Sequence, residues 1–264
     1  MKIQFTKMHG IGNDFIIINQ LQKKYKLNSA IIKFLASRQF GIGFDQLLII
    51  ENSSNPKAEF KYRIFNLDGN EVEQCGNGAR CFYRYIKSKN LSINSKITVE
   101  TKAGLIILTE PTEGQISVNM GKPIFKKQIS ESYTFVSMGN PHVVLNPLKE
   151  NQKWDDAIRY GKEIQTDKIN FPNGVNVGFM KIIDKNSLKL KVLERGSGIT
   201  LACGSGACAA AATAILRKLV VTPVNVHMDG GKLLIDWDGA NSIIMSGPAE
   251  IVFEGEIDLS SRKI

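Results

Sequence analysis

Apolar positions along this chain write one plan twice. In the first half, alternation and short apolar runs predict strands near 3–8 and 15–19. A helical spacing follows over 29–38, with Asn28 or Ser29 as its cap. Strands near 47–51 and 61–66, a helix over 77–88, and strands near 97–101, 104–109 and 115–119 complete that half. The second half predicts strands near 133–138 and 142–146, a helix near 152–163, and strands near 175–183 and 188–194. A helix over 205–218 and strands near 224–228, 232–237 and 242–247 close it. Both halves read ββαββαβββ.

Local sequence supports the duplication. "GNDFIIIN" (12–19) aligns with "GNPHVVLN" (139–146) at an offset of 127. "EVEQCGNGARC" (71–81) and "TLACGSGACAA" (200–210) place Cys75 and Cys203 128 residues apart, which needs one inserted residue. The expected fold class is therefore α/β (α+β), with two pseudo-symmetric duplicated domains, 1–120 and 121–249. Gly121–Pro123 stands where a linker belongs. "AEIVFEGEI" (249–257) adds a strand, and the segment 250–264 is expected to pack back onto the first domain. After Cys203, "GACAAAATAIL" has no charged face, which marks a helix buried all round. After Cys75, Phe82, Tyr85 and Ile86 form an apolar stripe opposite Arg80, Arg84 and Lys87. Each domain should thus wrap its strands around a central helix, the first less completely.

Composition narrows the chemistry. A chain of 264 residues, 43% hydrophobic and 22% charged, is ordinary for a globular protein. The start "MKIQFTKMHG" holds no apolar signal region and no apolar run reaches membrane-spanning length, so a cytoplasmic protein is expected. The net charge of +9 raises nucleic-acid binding, but no three basic residues are consecutive and basic charge alone is a weak footprint. Four cysteines at spacings of 6, 122 and 5 do not form a disulfide framework. Together with His9, His142 and His227 they also lack the clustering that zinc requires, so no metal site is expected.

A cysteine at a helix start is another matter. The first N–H groups of a helix are unpaired and carry partial positive charge, which lowers a thiol from about 8.5 toward neutrality. The same groups can hold a carboxylate, and the glycines at 76, 78, 204 and 206 allow close approach. Two such turns set face to face would suit inversion of a carbon beside a carboxylate, with one thiolate removing a proton and the opposing thiol returning one. Cys81 and Cys208, inside their helices, read as space-filling. Neither turn has the spacing of a dinucleotide loop or a P-loop.

"MHGIGNDF", "GFDQLL", "NLDGNEVEQCGNGARC", "GNPH", "PNGVNV" and "ERGSG…ACGSGACAA", in that order along nearly the whole chain, resemble the diaminopimelate epimerase family. The resemblance implies cofactor-independent interconversion of LL- and meso-diaminopimelate, on the route to lysine and peptidoglycan, with the active site in the cleft between the domains. It implies Cys75 and Cys203 as the two bases, with His142 and Glu194 tuning or orienting them. Asn13, Gln46, Asn66, Asn140, Asn176, Glu194 and Arg195 would hold the substrate, and the backbone of Gly76, Asn77, Gly204 and Ser205 its reacting carboxylate. No cofactor is implied; a homodimer is. Three positions depart from the family's usual residues: Ile199 stands where a glutamate is usual, Ser205 replaces a threonine and Leu67 an alanine. Proline racemase and hydroxyproline epimerase share the paired-cysteine design, but an Asn-rich pocket with Glu194-Arg195 suits a substrate charged at both ends. Phenazine-type isomerases share the fold without this thiol pair.

Overall fold

The computed structural model describes residues 1–73, 75–126 and 132–260. Gln74 of the first cysteine motif and residues 261–264 of the C-terminal segment lie outside that set. The chain divides into two compact units, one of Met1–Val118 with the segment from Gly247 onward, the other of Asn119–Ser246.

The first unit carries β1 (Lys2–Gly10), β2 (Asn13–Asn19), α1 (Ser29–Ala36), β3 (Gln46–Asn52), β4 (Phe60–Asn66) and β5 (Glu71–Val72). Next come α2 (Gly76–Ser88), β6 (Lys96–Thr101), β7 (Gly104–Thr112) and β8 (Gln115–Asn119). Strands β1/β2, β3/β4, β6/β7 and β7/β8 pair antiparallel, while β2/β3 and β4/β6 pair parallel. Helix α2 packs on β1, β2, β3 and β7, and α1 lies against β3. The runs "FIII" of β2 and "LLII" of β3 are apolar on both faces because they are buried on both. Asn28 accepts from the Ile31 N–H at 2.9 Å and caps α1, settling the choice between Asn28 and Ser29.

The second unit repeats this. Its elements are β9 (Ile124–Phe125), β10 (Tyr133–Ser137), β11 (Pro141–Leu145), α3 (Trp154–Thr166), β12 (Asn176–Asp184) and β13 (Ser187–Glu194). They continue through β14 (Gly198–Thr200), α4 (Gly204–Leu216), β15 (Val224–Met228), β16 (Gly231–Asp236) and β17 (Ile244–Gly247). Again β11/β12 and β13/β15 pair parallel, and β10/β11, β12/β13, β15/β16 and β16/β17 antiparallel. Helix α4 touches β10, β11, β12, β13, β15 and β16, so the strands wrap around it. Its Ala209–Ala212 run is both a strong helix former and small enough for strands to approach from every side.

Each unit has one strand outside its first: β9 pairs with β10, and β18 (Glu250–Asp258) pairs with β1 along nearly its full length. The strands β5, β9 and β14 were not anticipated from the sequence, since two or three residues are too few to show a period.

One expectation is corrected. Arg80 does not lie on a polar face of α2. It is fully buried, because β1 and β18 cover that side of the helix too. Its Nε donates to the Pro248 carbonyl at 3.1 Å, and its Nη1 to Asn77 Oδ1 at 2.9 Å.

Candidate active site

Both cysteines are the N-caps of their central helices. Cys75 sits before α2 with φ −144° and ψ 112°, and its sulfur accepts from the Gly78 N–H at 3.4 Å. Cys203 sits before α4 with φ −128° and ψ 104°, and its sulfur accepts from the Gly206 N–H at 3.3 Å. A cysteine here does what serine does at other helix starts, and it sets sulfur against the positive end of the helix. The space is tight. A Cβ on Gly78 would lie 2.4 Å from the Tyr62 hydroxyl, and one on Gly206 would lie 3.1 Å from the Cys203 sulfur.

In each unit the sheets present polar side chains from matching places. Strand register makes Gln46 the counterpart of Asn176, because Phe15 lies beside Gln46 and His142 beside Asn176. It likewise makes Asn66 the counterpart of Glu194. Asn13 is the first residue of β2, and Asn140 immediately precedes β11.

In the first unit these are neutral amides. Gln46 Nε2 donates to Asn66 Oδ1 at 2.9 Å, and Asn77 Nδ2 donates to Asn13 Oδ1 at 3.3 Å. Gln46 Oε1 is buried with no hydrogen-bond partner among the described residues, an acceptor left for a ligand or water.

In the second unit charge and ionisable groups take the same places. Asn140 Nδ2 donates to Ser205 Oγ at 3.2 Å, the counterpart of the Asn77–Asn13 contact. His142 Nε2 lies 3.1 Å from both Asn140 Oδ1 and Ser205 Oγ. Burial pushes the His142 pKa down to about 3, so the ring is neutral at pH 7. Asn140 turns its oxygen to this ring, a contact that the tautomer with hydrogen on Nε2 satisfies. Ser205 Oγ also lies 3.7 Å from the Cys203 sulfur.

The helix start alone predicts a lowered thiol at Cys203, and here the structure reverses the sign. Burial raises its pKa well above the ordinary value, and the Glu194 carboxylate raises it further. Opposing contributions from the Ser205 hydroxyl and the Gly206 N–H are smaller. At neutral pH Cys203 is a thiol. Glu194 is itself held by the Thr200 hydroxyl at 2.5 Å. Ile199 lies 39% exposed on β14, and the neighbouring Thr200 supplies the contact to Glu194.

Asn176 Oδ1 accepts from the Arg195 N–H at 2.9 Å, and the exposed Arg195 guanidinium donates to the Asn173 carbonyl. Gly76 and Gly204 open their helices and are buried. Cys81 and Cys208 are fully buried inside α2 and α4, and burial raises the Cys81 thiol. Among the described residues, no three His, Cys, Asp or Glu side chains gather as a metal site would require. None of their helices is long and apolar enough to cross a membrane.

Sequence reasoning passed over Asp45, Arg80 and Tyr62. The Tyr62 hydroxyl donates to the Cys75 carbonyl at 3.5 Å. Arg80 could have been found from its spacing, since three residues after Asn77 on a helix puts both on one face.

Two units of one topology define a class of folds shared with solved proteins of differing activities. A phenazine biosynthesis protein of the PhzF family from Bacillus anthracis superposes with a TM-score of 0.75 at 17% identity, covering 98% of this chain and 99% of that one. A hydroxyproline epimerase from Agrobacterium vitis gives 0.70 at 13% identity, covering 99% and 92%. At such identities the likeness is one of fold. The sequence is more particular. The diaminopimelate epimerase family profile matches residues 5–126 and 134–252. The diaminopimelate epimerase of Teredinibacter turnerae is 44% identical over 279 residues, covering 98% of this chain and 100% of its own. The chain belongs to the diaminopimelate epimerase family.

Proposed function

We propose that the protein interconverts LL- and meso-diaminopimelate, with Cys75 and Cys203 acting as base and acid on opposite faces of one α-carbon. The observation that carries this reading is the pair of cysteine caps. In a chain of this family, two helices begin with sulfur on their own N–H groups, and matching strand positions of the two units carry polar side chains. In the direction begun by Cys75, its thiolate takes the α-proton and the electron pair moves toward the adjacent carboxylate. The N–H groups of Gly76, Asn77, Gly204 and Ser205 stabilise that charge. The Cys203 thiol then delivers its proton to the other face. One proton leaves the carbon and one arrives, so the enzyme ends with its thiol and thiolate exchanged, ready for the reverse direction. Burial and Glu194 suit Cys203 to be the proton donor at the start.

The rest of the substrate fits the remaining groups. Diaminopimelate carries two ammonium and two carboxylate groups. Glu194 suits an ammonium and the fork of Arg195 the distal carboxylate, while Asn13, Gln46, Asn66, Asn140 and Asn176 supply donors and acceptors. The reaction asks for no cofactor in this reading and takes place in the cytoplasm. The expected assembly is a homodimer. Strand β18, with exposed Ile251, Val252 and Phe253, is the kind of surface a second copy covers.

The test is incubation with LL-diaminopimelate in deuterated water without added cofactor. Deuterium should enter the α-carbon as meso product forms. Turnover of proline in place of diaminopimelate, or inversion with the original hydrogen retained, would contradict the proposal.

A further inference from the structure

Four side chains of the first unit form a hydrogen-bonded chain with a fixed sense. Asp45 Oδ2 accepts from Asn13 Nδ2 at 2.8 Å. Asn13 Oδ1 accepts from Asn77 Nδ2 at 3.3 Å, and Asn77 Oδ1 accepts from Arg80 Nη1 at 2.9 Å. A carboxylate can only accept and a guanidinium can only donate. With those two groups at the ends, each amide between them has one satisfied orientation. Turning either amide over would set oxygen against carboxylate, oxygen against oxygen, or NH2 against guanidinium.

Both ends are anchored. The second oxygen of Asp45 accepts from Arg38 Nη2 at 2.9 Å, and Oδ2 also accepts from the Asp14 N–H at 3.2 Å. Arg38 is held in turn by both oxygens of Asp14, at 2.8 and 3.0 Å. At the other end Arg80 is fully buried and tied to the Pro248 carbonyl. Gly10, which pairs with Asn13 across the β1–β2 hairpin, leaves room for the guanidinium. A Cβ there would lie 3.0 Å from Arg80 Nη2 and 3.3 Å from the Asn77 carbonyl oxygen.

We propose that Asp45 and Arg80 are positioning residues, which fix the end that the Asn13 and Asn77 amides offer to substrate. This rests on the functional reading above, in which Asn13 and the Asn77 turn bind diaminopimelate. The consequence is chemical. Each NH2 group has two hydrogens and spends one in the chain, so a donor of each amide remains for a substrate carboxylate. The Asn77 oxygen, an acceptor that would repel that carboxylate, is turned to the guanidinium. The second unit lacks both charges. Val175 and Cys208 occupy the places of Asp45 and Arg80, and neutral His142 orients Asn140 instead.

The test uses Arg80→Met, Arg80→Lys and Asp45→Ala in the full chain. Three quantities are read: kcat and KM for LL-diaminopimelate, the thermal midpoint, and exchange of the Asn13 and Asn77 side-chain amide hydrogens by NMR. Arg80→Met should raise KM about tenfold or more, the size expected for one hydrogen bond to a charged group, with a smaller change in kcat. Arg80→Lys, which keeps a cationic donor, should restore most of the affinity. Asp45→Ala, made at the half-exposed end where folding is less at risk, should also raise KM. Amide exchange at Asn13 should quicken in Asp45→Ala and at Asn77 in Arg80→Met. Unchanged KM in Asp45→Ala, or a lysine variant as impaired as the methionine one, overturns the proposal. If the wild-type chain ignores diaminopimelate, the functional reading fails instead, and the exchange rates decide the positioning role by themselves.

Discussion

The surroundings of Cys75 and Cys203 are built on the same strands, in the same register, at the same helix position, yet they differ in kind. Where the first unit puts Phe15, Gln46 and Asn66, the second puts His142, Asn176 and Glu194. Cys75 is half-buried in a unit whose Gln46 and Asn66 positions are neutral amides, whereas Cys203 is buried and feels the Glu194 carboxylate. A duplicated scaffold thus does not give duplicated chemistry. Helix geometry supplies the same N–H to both sulfurs, and the neighbouring strand decides how firmly the proton is held at Cys203. Even the orientation of the matched asparagines is achieved differently, by charged ends in one unit and by a neutral imidazole in the other.

The largest change to this comparison should come from Glu194→Gln, which gives the second unit an uncharged group where the first has Asn66. It removes a carboxylate that raises the Cys203 thiol and the proposed partner of a substrate ammonium. We expect kcat/KM to fall by about 10- to 100-fold, the loss of a charged hydrogen bond. The Cys203 thiol should ionise at lower pH, read by the pH dependence of its alkylation. An unshifted alkylation profile would remove Glu194 as the source of the asymmetry.

Next come the paired glycines. Gly78→Ala and Gly206→Ala both place a methyl in filled space, and each should cost about 1–3 kcal/mol of stability. They should part on activity. The first collides with the Tyr62 hydroxyl, while the second presses on Val192 and the Cys203 sulfur itself. Gly206→Ala should therefore lose more turnover for the same loss in thermal midpoint. Equal turnover losses would mean that sulfur placement is not set by that glycine.

The effect that is smallest near neutral pH concerns acid. His142 is neutral when folded, with its pKa pushed down to about 3, while an unfolded histidine takes a proton near 6.5. Protons thus bind the unfolded chain first as pH falls, so stability declines from about pH 6.5 toward 3, by at most about 1.4 kcal/mol per pH unit. His142→Phe, which installs the first unit's residue, should flatten that slope. Denaturant melts at pH 7, 6 and 5 measure it, and a slope unchanged in the variant would place the acid sensitivity elsewhere.

Much of the fold is legible in the sequence because each half carries its own periodicity and the halves check one another. The β2 and β11 motifs and the two cysteine turns align before any coordinate is known. What escaped has physical reasons. Strands β5, β9 and β14 are too short to show alternation. Arg80 looked exposed because a helical wheel assumes one solvent face, and α2 has strands over that side as well. The Cys203 thiol was misjudged because a helix N-terminus is visible in sequence, while burial and the approach of Glu194 depend on how β13 packs. Asp45 gave no signal apart from its place before Gln46, and its partner Asn13 lies 32 residues away.

The most direct test asks whether both sulfurs serve one carbon. Cys75→Ala and Cys203→Ala, each confirmed as folded by its thermal midpoint, are to be assayed for conversion of LL- to meso-diaminopimelate and back. Each variant should lose net epimerisation by at least about 10²–10⁴-fold in both directions, because each lacks the acid or base for one face. Near wild-type conversion by either variant would contradict the account.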